Sequence, residues 1–233
     1  TPAQDEELGL VNVPWLEHFR RNGVFELAPE MRKTLPISRI GWSATKLKAG
    51  LFANAREFDV MDALSGSTHL VRLGAWTRAL GITMDQGYQL HGGGSSPASH
   101  LSGLPVVNAE NFRAICLPES LPAFAASHAH RPRSKAVFEG PLVLCPEGSF
   151  TKALEPGRYP AAFDPRSLAF NDSIVGISFK RHDPRLGRVL SLILNSKLVS
   201  FQLAFGASNI GLKQPKVEKV DLEEILIPDL LRL

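Results

Sequence analysis

The sequence predicts an α+β fold with mixed, mostly antiparallel strands, helices near the N-terminus and one long buried helix near the C-terminus. The long helix is predicted at residues 183–206, where apolar residues recur at helical spacing behind a capping aspartate. Strands are predicted at residues 161–179, where two short apolar runs flank the turn pair Asn171-Asp172. The chain has 233 residues, 44% of them hydrophobic, which is enough for a sizeable core.

The N-terminal part is predicted to be helical. In residues 12–34 a capping asparagine and a proline suited to a first turn precede apolar residues at helical spacing. A second helix is predicted at residues 43–58, where a serine can act as the cap. Residues 68–80 fit either a helix or a pair of strands.

The middle of the chain alternates loops with short strands. Residues 85–104 are rich in Gly, Ser and Pro and predict a long loop, a kind of segment that is usually functional or mobile. Residues 111–117 predict a strand, and residues 127–135 a basic loop. A pair of short strands is predicted at residues 137–145, around a Gly-Pro pair.

The predicted long helix has a clear start. Asp183 is a good N-cap and Pro184 fits the first helical position. Apolar residues along it predict one broad buried face: Leu186, Val189, Leu190, Ile193, Leu194, Leu198, Phe201 and Phe205. Gly206 is predicted to end the helix, and a short helical turn from Asp221 is predicted to lead into an extended C-terminal arm.

Charge is unevenly distributed along the chain. The net charge is only +3, but the first 30 residues hold six acidic and two basic residues, and from Arg131 to Lys219 basic residues outnumber acidic ones two to one. That asymmetry is typical of a phosphate-binding surface and is also compatible with ordinary solubility. Cys116 and Cys145 lie in apolar contexts and are predicted to be reduced core thiols. No signal peptide or membrane span is visible, which predicts a cytoplasmic location, and a start at Thr1 rather than Met indicates a fragment.

No catalytic, cofactor-binding or metal site is predicted. The sequence HGGG at residues 91–94 is typical of an oxyanion loop in some hydrolases, but those enzymes also need a G-x-S-x-G turn, which the sequence lacks. Nucleotide-binding glycine motifs are also missing. His128 and His130 could chelate a metal from a strand, but no acidic or thiol partner lies near them in the sequence.

Six stretches of the chain carry a resemblance to one protein family. They are ITMDQGYQLHGGG (82–94), LSGLPVVNAENF (101–112), GPLVLCPEG (140–148), AFNDSIVGISF (169–179), LSLILNSKLVSFQLAF (190–205) and VDLEEILIPDL (220–230). In this order and spacing they resemble the target-recognition, or specificity, region of adenine-N6 DNA methyltransferases from restriction-modification systems. The resemblance covers roughly residues 70–230.

The resemblance implies that residues 66–233 are a target-recognition domain for double-stranded DNA. Residues 1–65 would then be an N-terminal helical segment, or a linker from an upstream methyltransferase domain. The family's Pro-Pro-aromatic catalytic signature is missing, since the sequence has no Pro-Pro pair, and its S-adenosylmethionine loop has no match. No cofactor is therefore expected in this chain. S-adenosylmethionine is expected for the parent protein, a site-specific adenine DNA methyltransferase that would act in defence against foreign DNA.

A protein that reads DNA needs cations for the phosphates and amide side chains for the base edges. Candidate DNA-binding residues of these types are Gln86, Gln89, Arg131, Arg133, Lys135, Lys152, Arg158, Lys180, Arg181, Arg185, Asn209, Lys213, Gln214 and Lys216. Each of them also fits an ordinary solvated charge or a turn former. The alternative is a protein-interaction or scaffold domain that binds no nucleic acid.

Overall fold

The chain divides into two compact units, Thr1–Gly66 and Ser67–Leu233. The computed structural model describes residues 7–11, 32–36, 53, 55–147, 158–207 and 216–231. In the first unit, strand β1 (Glu7–Val11) pairs antiparallel with strand β2 (Arg32–Pro36), and helix α1 spans Ala55–Ser65.

Two helical predictions fall on the first unit. The helix predicted at residues 12–34 is wrong at residues 32–34, because these residues form backbone hydrogen bonds with β1 in an antiparallel ladder. The rest of that prediction lies outside the described residues. The helix predicted at residues 43–58 is confirmed from Ala55 onward and continues to Ser65, and residues 43–52 lie outside the described residues.

The second unit combines one four-stranded sheet with helices and short strand pairs. Its elements are β3 (Leu70–Arg72), α2 (Leu73–Leu80), β4 (Thr83–Gln86), β5 (Ser96–Pro97), a 3-10 turn (Ser99–Leu101), β6 (Val106–Val107), β7 (His128–Ala129), a second 3-10 turn (Lys135–Phe138), β8 (Leu142–Pro146), β9 (Ala162–Asp164), β10 (Ala169–Phe170), β11 (Ile174–Ser178), α3 (Pro184–Leu194), α4 (Lys197–Gly206), α5 (Lys219–Glu223) and β12 (Leu226–Pro228). The sheet is antiparallel in the order β4-β11-β8-β9. Strands β3–β12 and β5–β7 form antiparallel pairs, and β6–β10 forms a parallel pair. The predicted α+β class with mostly antiparallel strands is therefore confirmed.

The central strands of the sheet are buried on both faces. Along β8, Leu142 and Leu144 belong to one apolar core, whereas Val143 and Cys145 belong to the other, as the alternation of side chains in a strand requires. Side chains of α2, α3 and α4 pack on the Val143 face, and loops with short strands pack on the opposite face. Strands covered on both faces have unbroken apolar sequences, which explains why β8 and β11 could be recognised from the sequence.

The helix predicted at residues 183–206 is confirmed with one correction, because it is divided into α3 and α4, which are bent by 64° relative to each other. At the division, the Asn195 amide donates hydrogen bonds to the carbonyls of Ser191 (2.7 Å) and Ala161 (2.8 Å). The Ser196 hydroxyl then accepts a hydrogen bond from the backbone of α4 and acts as its N-cap. Two polar side chains therefore satisfy the backbone groups that a bend leaves unpaired.

The bent pair buries a narrower face than the sequence predicts. Leu190 and Leu194 are fully buried, whereas Val189, Leu192 and Leu198 are exposed. The prediction is wrong at Val189 and Leu198, because the core covers only one stripe of α3 and the bend gives α4 a different direction. Among the described residues, no single helix has the length and apolar character to cross a membrane, and α3 and α4 reach both only together, across their bend.

Predictions for the shorter segments are corrected in detail. Residues 111–117 do not form a strand; Ile115 adopts a left-handed backbone with φ of 70°, which interrupts an extended ladder. Within residues 137–145, the first predicted strand is the second 3-10 turn, whereas the second strand is β8. Residues 68–80 form a strand followed by a helix, and the loop predicted at residues 85–104 contains the end of β4 and all of β5.

The C-terminal arm folds back onto the start of the second unit. Strand β12 pairs with β3 so that Ile227 faces Val71. The Gln202 side chain on α4 fixes the arm, since it donates to the Leu226 carbonyl (3.0 Å) and accepts from the Leu226 N–H (2.8 Å). The predicted extended arm is confirmed, although the helical turn before it begins at Lys219.

The two cysteines differ in environment, which leads to a first testable prediction. Cys116 is exposed on the irregular segment after Ile115, contrary to the prediction of two core thiols, whereas Cys145 is fully buried in β8. Burial raises the pKa of the Cys145 thiol to about 12, so only about 1 in 10,000 of these thiols would be ionised at pH 8. A thiol-specific disulfide reagent should modify one cysteine in the folded chain and both in denaturant, as counted by absorbance. Fast modification of both thiols in the folded chain would contradict this assignment.

Candidate nucleic-acid interface

The basic loop at residues 127–135 is bound to the segment that follows β4. Gln89, shortly after β4, exchanges two backbone hydrogen bonds of 2.9 and 3.0 Å with Arg131. On one side of this contact β7 pairs with β5, and on the other the 3-10 turn Lys135–Phe138 contacts β4. The side chains of the loop are consequently held beside the sheet.

Glycines of the HGGG sequence let the loop after β4 approach the basic loop. The Gly94 N–H donates a hydrogen bond of 2.9 Å to Nδ1 of His130. A Cβ atom at Gly92 would lie only 2.2 Å from Cδ2 of the same ring, so no larger residue fits there. Because the Gly94 N–H is bound to His130, it is not available as an oxyanion donor. The close contact with His130 instead explains why glycines occur in HGGG.

Two of the candidate residues, Arg133 and Gln86, bind each other. Arg133 donates from Nη2 to the Gln86 side-chain oxygen (3.2 Å) and from Nε to the Gly87 carbonyl (3.3 Å). Nε2 of Gln86 in turn lies 2.9 Å from both carboxylate oxygens of Glu147. Both polar ends of the Gln86 amide are therefore used within the protein, which leaves this side chain poorly suited to read a base edge.

Glu147 is a buried carboxylate that connects β4 with the C-terminal part of the unit. Only 4% of the residue is exposed. Besides Gln86, it accepts a hydrogen bond from the Lys219 N–H (3.0 Å) and forms an ion pair with Lys216 (3.5 Å). Lys219 also pairs with Asp85 on β4, at 3.1 Å. The candidate Lys216 is thus held at this end of β4 by a carboxylate.

A second group of candidates lies at the other end of β4. Lys180 forms an ion pair of 2.6 Å with Glu139, and Lys135 approaches the same carboxylate oxygen to 3.8 Å. Arg181, next in the chain, is exposed and makes no ion pair or side-chain hydrogen bond with the described residues. Beside them is a pocket of about 200 Å³, lined in part by Thr83, the first residue of β4.

We call Gln89, Arg131, Lys135, Lys180 and Arg181 the β4-edge surface, because their backbones lie on β4's flanking segments or border the pocket at its start. Arg131 is exposed, and neither its guanidinium nor the Gln89 amide makes a hydrogen bond with the described part of the chain. Among the described residues, the structure therefore places Gln89 and Arg131, which have no carboxylate partner, beyond the end of β4. Near the start of β4 it places Arg181, also without a carboxylate partner, and two lysines that share one carboxylate.

The remaining candidates lie elsewhere. Arg185 is exposed in the first turn of α3. Arg158 is also exposed, but the neighbouring Tyr159 N–H donates to Ser200 on α4 (2.7 Å), which places Arg158 apart from the β4-edge surface. Four candidates lie outside the described residues: Lys152, Asn209, Lys213 and Gln214. In the part of the chain that the structure describes, no group of three or more His, Cys, Asp or Glu side chains could hold a metal ion.

Sequence reasoning missed the acidic partners of the candidate cations, Asp85, Glu139 and Glu147. A weak signal was present, since Glu139 precedes the apolar run of β8 and Glu147 directly follows it. An acid at the end of a buried strand is often paired, because burying an unpaired carboxylate is costly. Nothing in the sequence indicates which cation it meets.

Comparisons with models of protein families and with curated proteins found no match for this chain. Among solved structures, one similar chain belongs to a structure described as "Structural basis underlying complex assembly and conformational transition of the type I R-M system". The TM-score is 0.38 at 11% identity, and the similarity covers 91% of this chain and 54% of that chain. The present chain thus spans about half the length of that one, and a similarity of this size carries no argument about fold or function.

Proposed function

We propose that the unit Ser67–Leu233 is a DNA-binding target-recognition domain of an adenine-N6 DNA methyltransferase of the restriction-modification type. The observation that carries the proposal is the β4-edge surface, where cations from separate parts of the chain lie near the two ends of one strand. Phosphate contacts supply much of the affinity of such proteins for DNA. The order of the family-like stretches in the sequence supports the finer assignment. S-adenosylmethionine and an upstream methyltransferase domain belong to the proposed parent protein.

Within the proposed interface the cations and the amide have different tasks. Arg131, Lys135, Lys180 and Arg181 would contact phosphates, which position the protein without reading sequence. Gln89 would read a base edge, since a glutamine amide can bind adenine through two hydrogen bonds. Both the N–H and the carbonyl of Gln89 form hydrogen bonds with the backbone of Arg131, so the Gln89 side chain starts from a fixed backbone position. Gln86 is removed from the base-reading role, because Glu147 and Arg133 already bind its amide.

The test is a titration of duplex DNA with the wild-type protein and Arg131→Gln, followed by fluorescence anisotropy at several salt concentrations. The change should weaken binding to all sequences and reduce the slope of log affinity against log salt by about 1. Arg113→Gln is the control for the loss of one positive charge; unlike Arg131, Arg113 donates from its guanidinium to the backbone carbonyls of Glu110 (3.0 Å) and Phe112 (2.7 Å). Arg113 is exposed, and it lies near Ile115, which bridges to Ala162 on β9 at the opposite edge of the sheet.

Equal affinities of both variants and the wild type would show that Arg131 does not contact DNA. Absence of duplex binding by the wild type, or binding that does not depend on salt, would remove the proposed function. Those results would favour the alternative, a protein-interaction domain, for which the exposed apolar side chains of Val189, Leu192 and Leu198 are the supporting observation.

A further inference from the structure

The pocket beside the β4-edge surface lies where β4 begins and β11 ends. Thr83 and Ser178, which face each other across these strands, form part of its wall. The other walls come from the 3-10 turn before β8 and from the turn Lys180–His182 that leads to α3. Its volume of about 200 Å³ would hold several water molecules at roughly 30 Å³ each. Three segments that are distant in sequence therefore enclose one small polar space.

The charges around this pocket favour an anion. Glu139 is the acid in its lining, and this carboxylate is paired with Lys180 at 2.6 Å and with Lys135 at 3.8 Å. Arg181 also lines the pocket and has no carboxylate partner among the described residues. Three cations thus surround one acid. Glu139 also restrains the Lys180 side chain, which would otherwise lose rotamer entropy on binding a ligand.

The hydrogen-bonding groups narrow the ligand class further. The Ser178 hydroxyl already donates to the Glu139 carbonyl, at 2.6 Å. The Thr83 hydroxyl makes no hydrogen bond within the described residues, and Lys180 and Arg181 supply only donors. Thr83 lies on one wall and the two cations lie on another, so a ligand must present acceptor oxygens in at least two directions. A tetrahedral phosphate group does so, whereas a planar carboxylate presents two oxygens in one plane.

We propose that this pocket binds a phosphate group, with Arg181, Lys180 and Thr83 as its donors. If the proposed function holds, the group is one phosphodiester of duplex DNA lying along the β4-edge surface. The same chemistry would also accept a free phosphate, and the experiment separates the two sources.

The experiment compares the wild type with Arg181→Gln and the control Arg113→Gln in two measurements. The first is salt-dependent anisotropy with duplex DNA. Arg181→Gln should lower the salt slope by about 1, so that a four-fold rise in salt costs this variant about 3- to 4-fold less affinity than it costs the wild type. The second is a titration with inorganic phosphate followed by amide NMR. Resonances of Gly81, Thr83 and Ser178 should shift in the wild type and in the control, but not in Arg181→Gln.

The outcomes separate this inference from the proposed function. Phosphate-induced shifts in a protein that does not bind duplex DNA would support the pocket as a site for free phosphate and would overturn the DNA-binding proposal. Duplex binding in which Arg181→Gln behaves like Arg113→Gln, together with resonances that phosphate does not shift, would overturn the pocket and leave DNA binding intact. Melting temperatures of the variants close to that of the wild type would show that folding is unchanged.

Discussion

Leu190→Ala is expected to lower the free energy of unfolding of the second unit by about 2–5 kcal/mol, the usual range for truncating a buried leucine. The Leu190 side chain is fully buried in α3, within the core that the helices form against β8 and β11. Val143 and Ile177 lie in the same core on these two hydrogen-bonded strands. Because the sheet holds these neighbours in place, the space left by the leucine would remain largely empty.

The matched control is Leu192→Ala, the same substitution two residues further along α3. Leu192 is 62% exposed, so its truncation should change the free energy of unfolding by less than about 0.5 kcal/mol. Urea titrations followed by far-UV circular dichroism would measure both effects. Similar losses at the two positions would mean that α3 does not present the Leu190 face to the sheet.

Glu147→Ala is expected to lower the free energy of unfolding by about 1–3 kcal/mol, because it leaves partly buried donors without their acceptor. The substitution removes the acceptor for the Gln86 amide and for the Lys219 N–H. The ion pair with Lys216 adds little to this, since the Lys216 side chain is 46% exposed and its charge is solvated. The loss therefore reports mainly on the hydrogen bonds.

Glu224→Ala provides the comparison for this substitution. Glu224 is an exposed glutamate that pairs with Arg72 at 3.2 Å, and an ion pair of this kind contributes about 0–1 kcal/mol. Thermal or urea unfolding of the two variants should therefore differ clearly. If Glu147→Ala were as stable as Glu224→Ala, the hydrogen bonds assigned to the buried carboxylate would be wrong.

Features set by local chemistry could be predicted from the sequence. The start of α3 was predicted correctly, because Asp183 and Pro184 act on the backbone within one turn. Its division at Asn195 was not predicted, since the carbonyl of Ala161 that the side chain binds is 34 positions away. Residues 111–117 show the same limit, because an alternating pattern predicts a strand only where a partner strand is available.

The candidate interface was predicted by residue type but not by partner. Arg131, Lys135, Lys180 and Arg181 were selected because they are basic and flank predicted elements. The structure places Lys135, Lys180 and Arg181 near the start of β4 and Arg131 beyond its end. Whether a polar side chain is already bound within the protein depends on distant acids, as with Gln86 and Glu147, which are 61 positions apart. The local sequence does not show such pairs, so it could not show which side chains are already bound within the protein.

The pairing of β3 with β12 has a consequence for engineering. Leu70 and Pro228 face each other across this ladder, so the first and last strands of the unit are neighbours. This unit could be inserted into one surface loop of a host protein. Its first and last strands lie side by side, so the insertion would not separate the two ends of the host loop. The insertion would then require no remodelling of the host's own core.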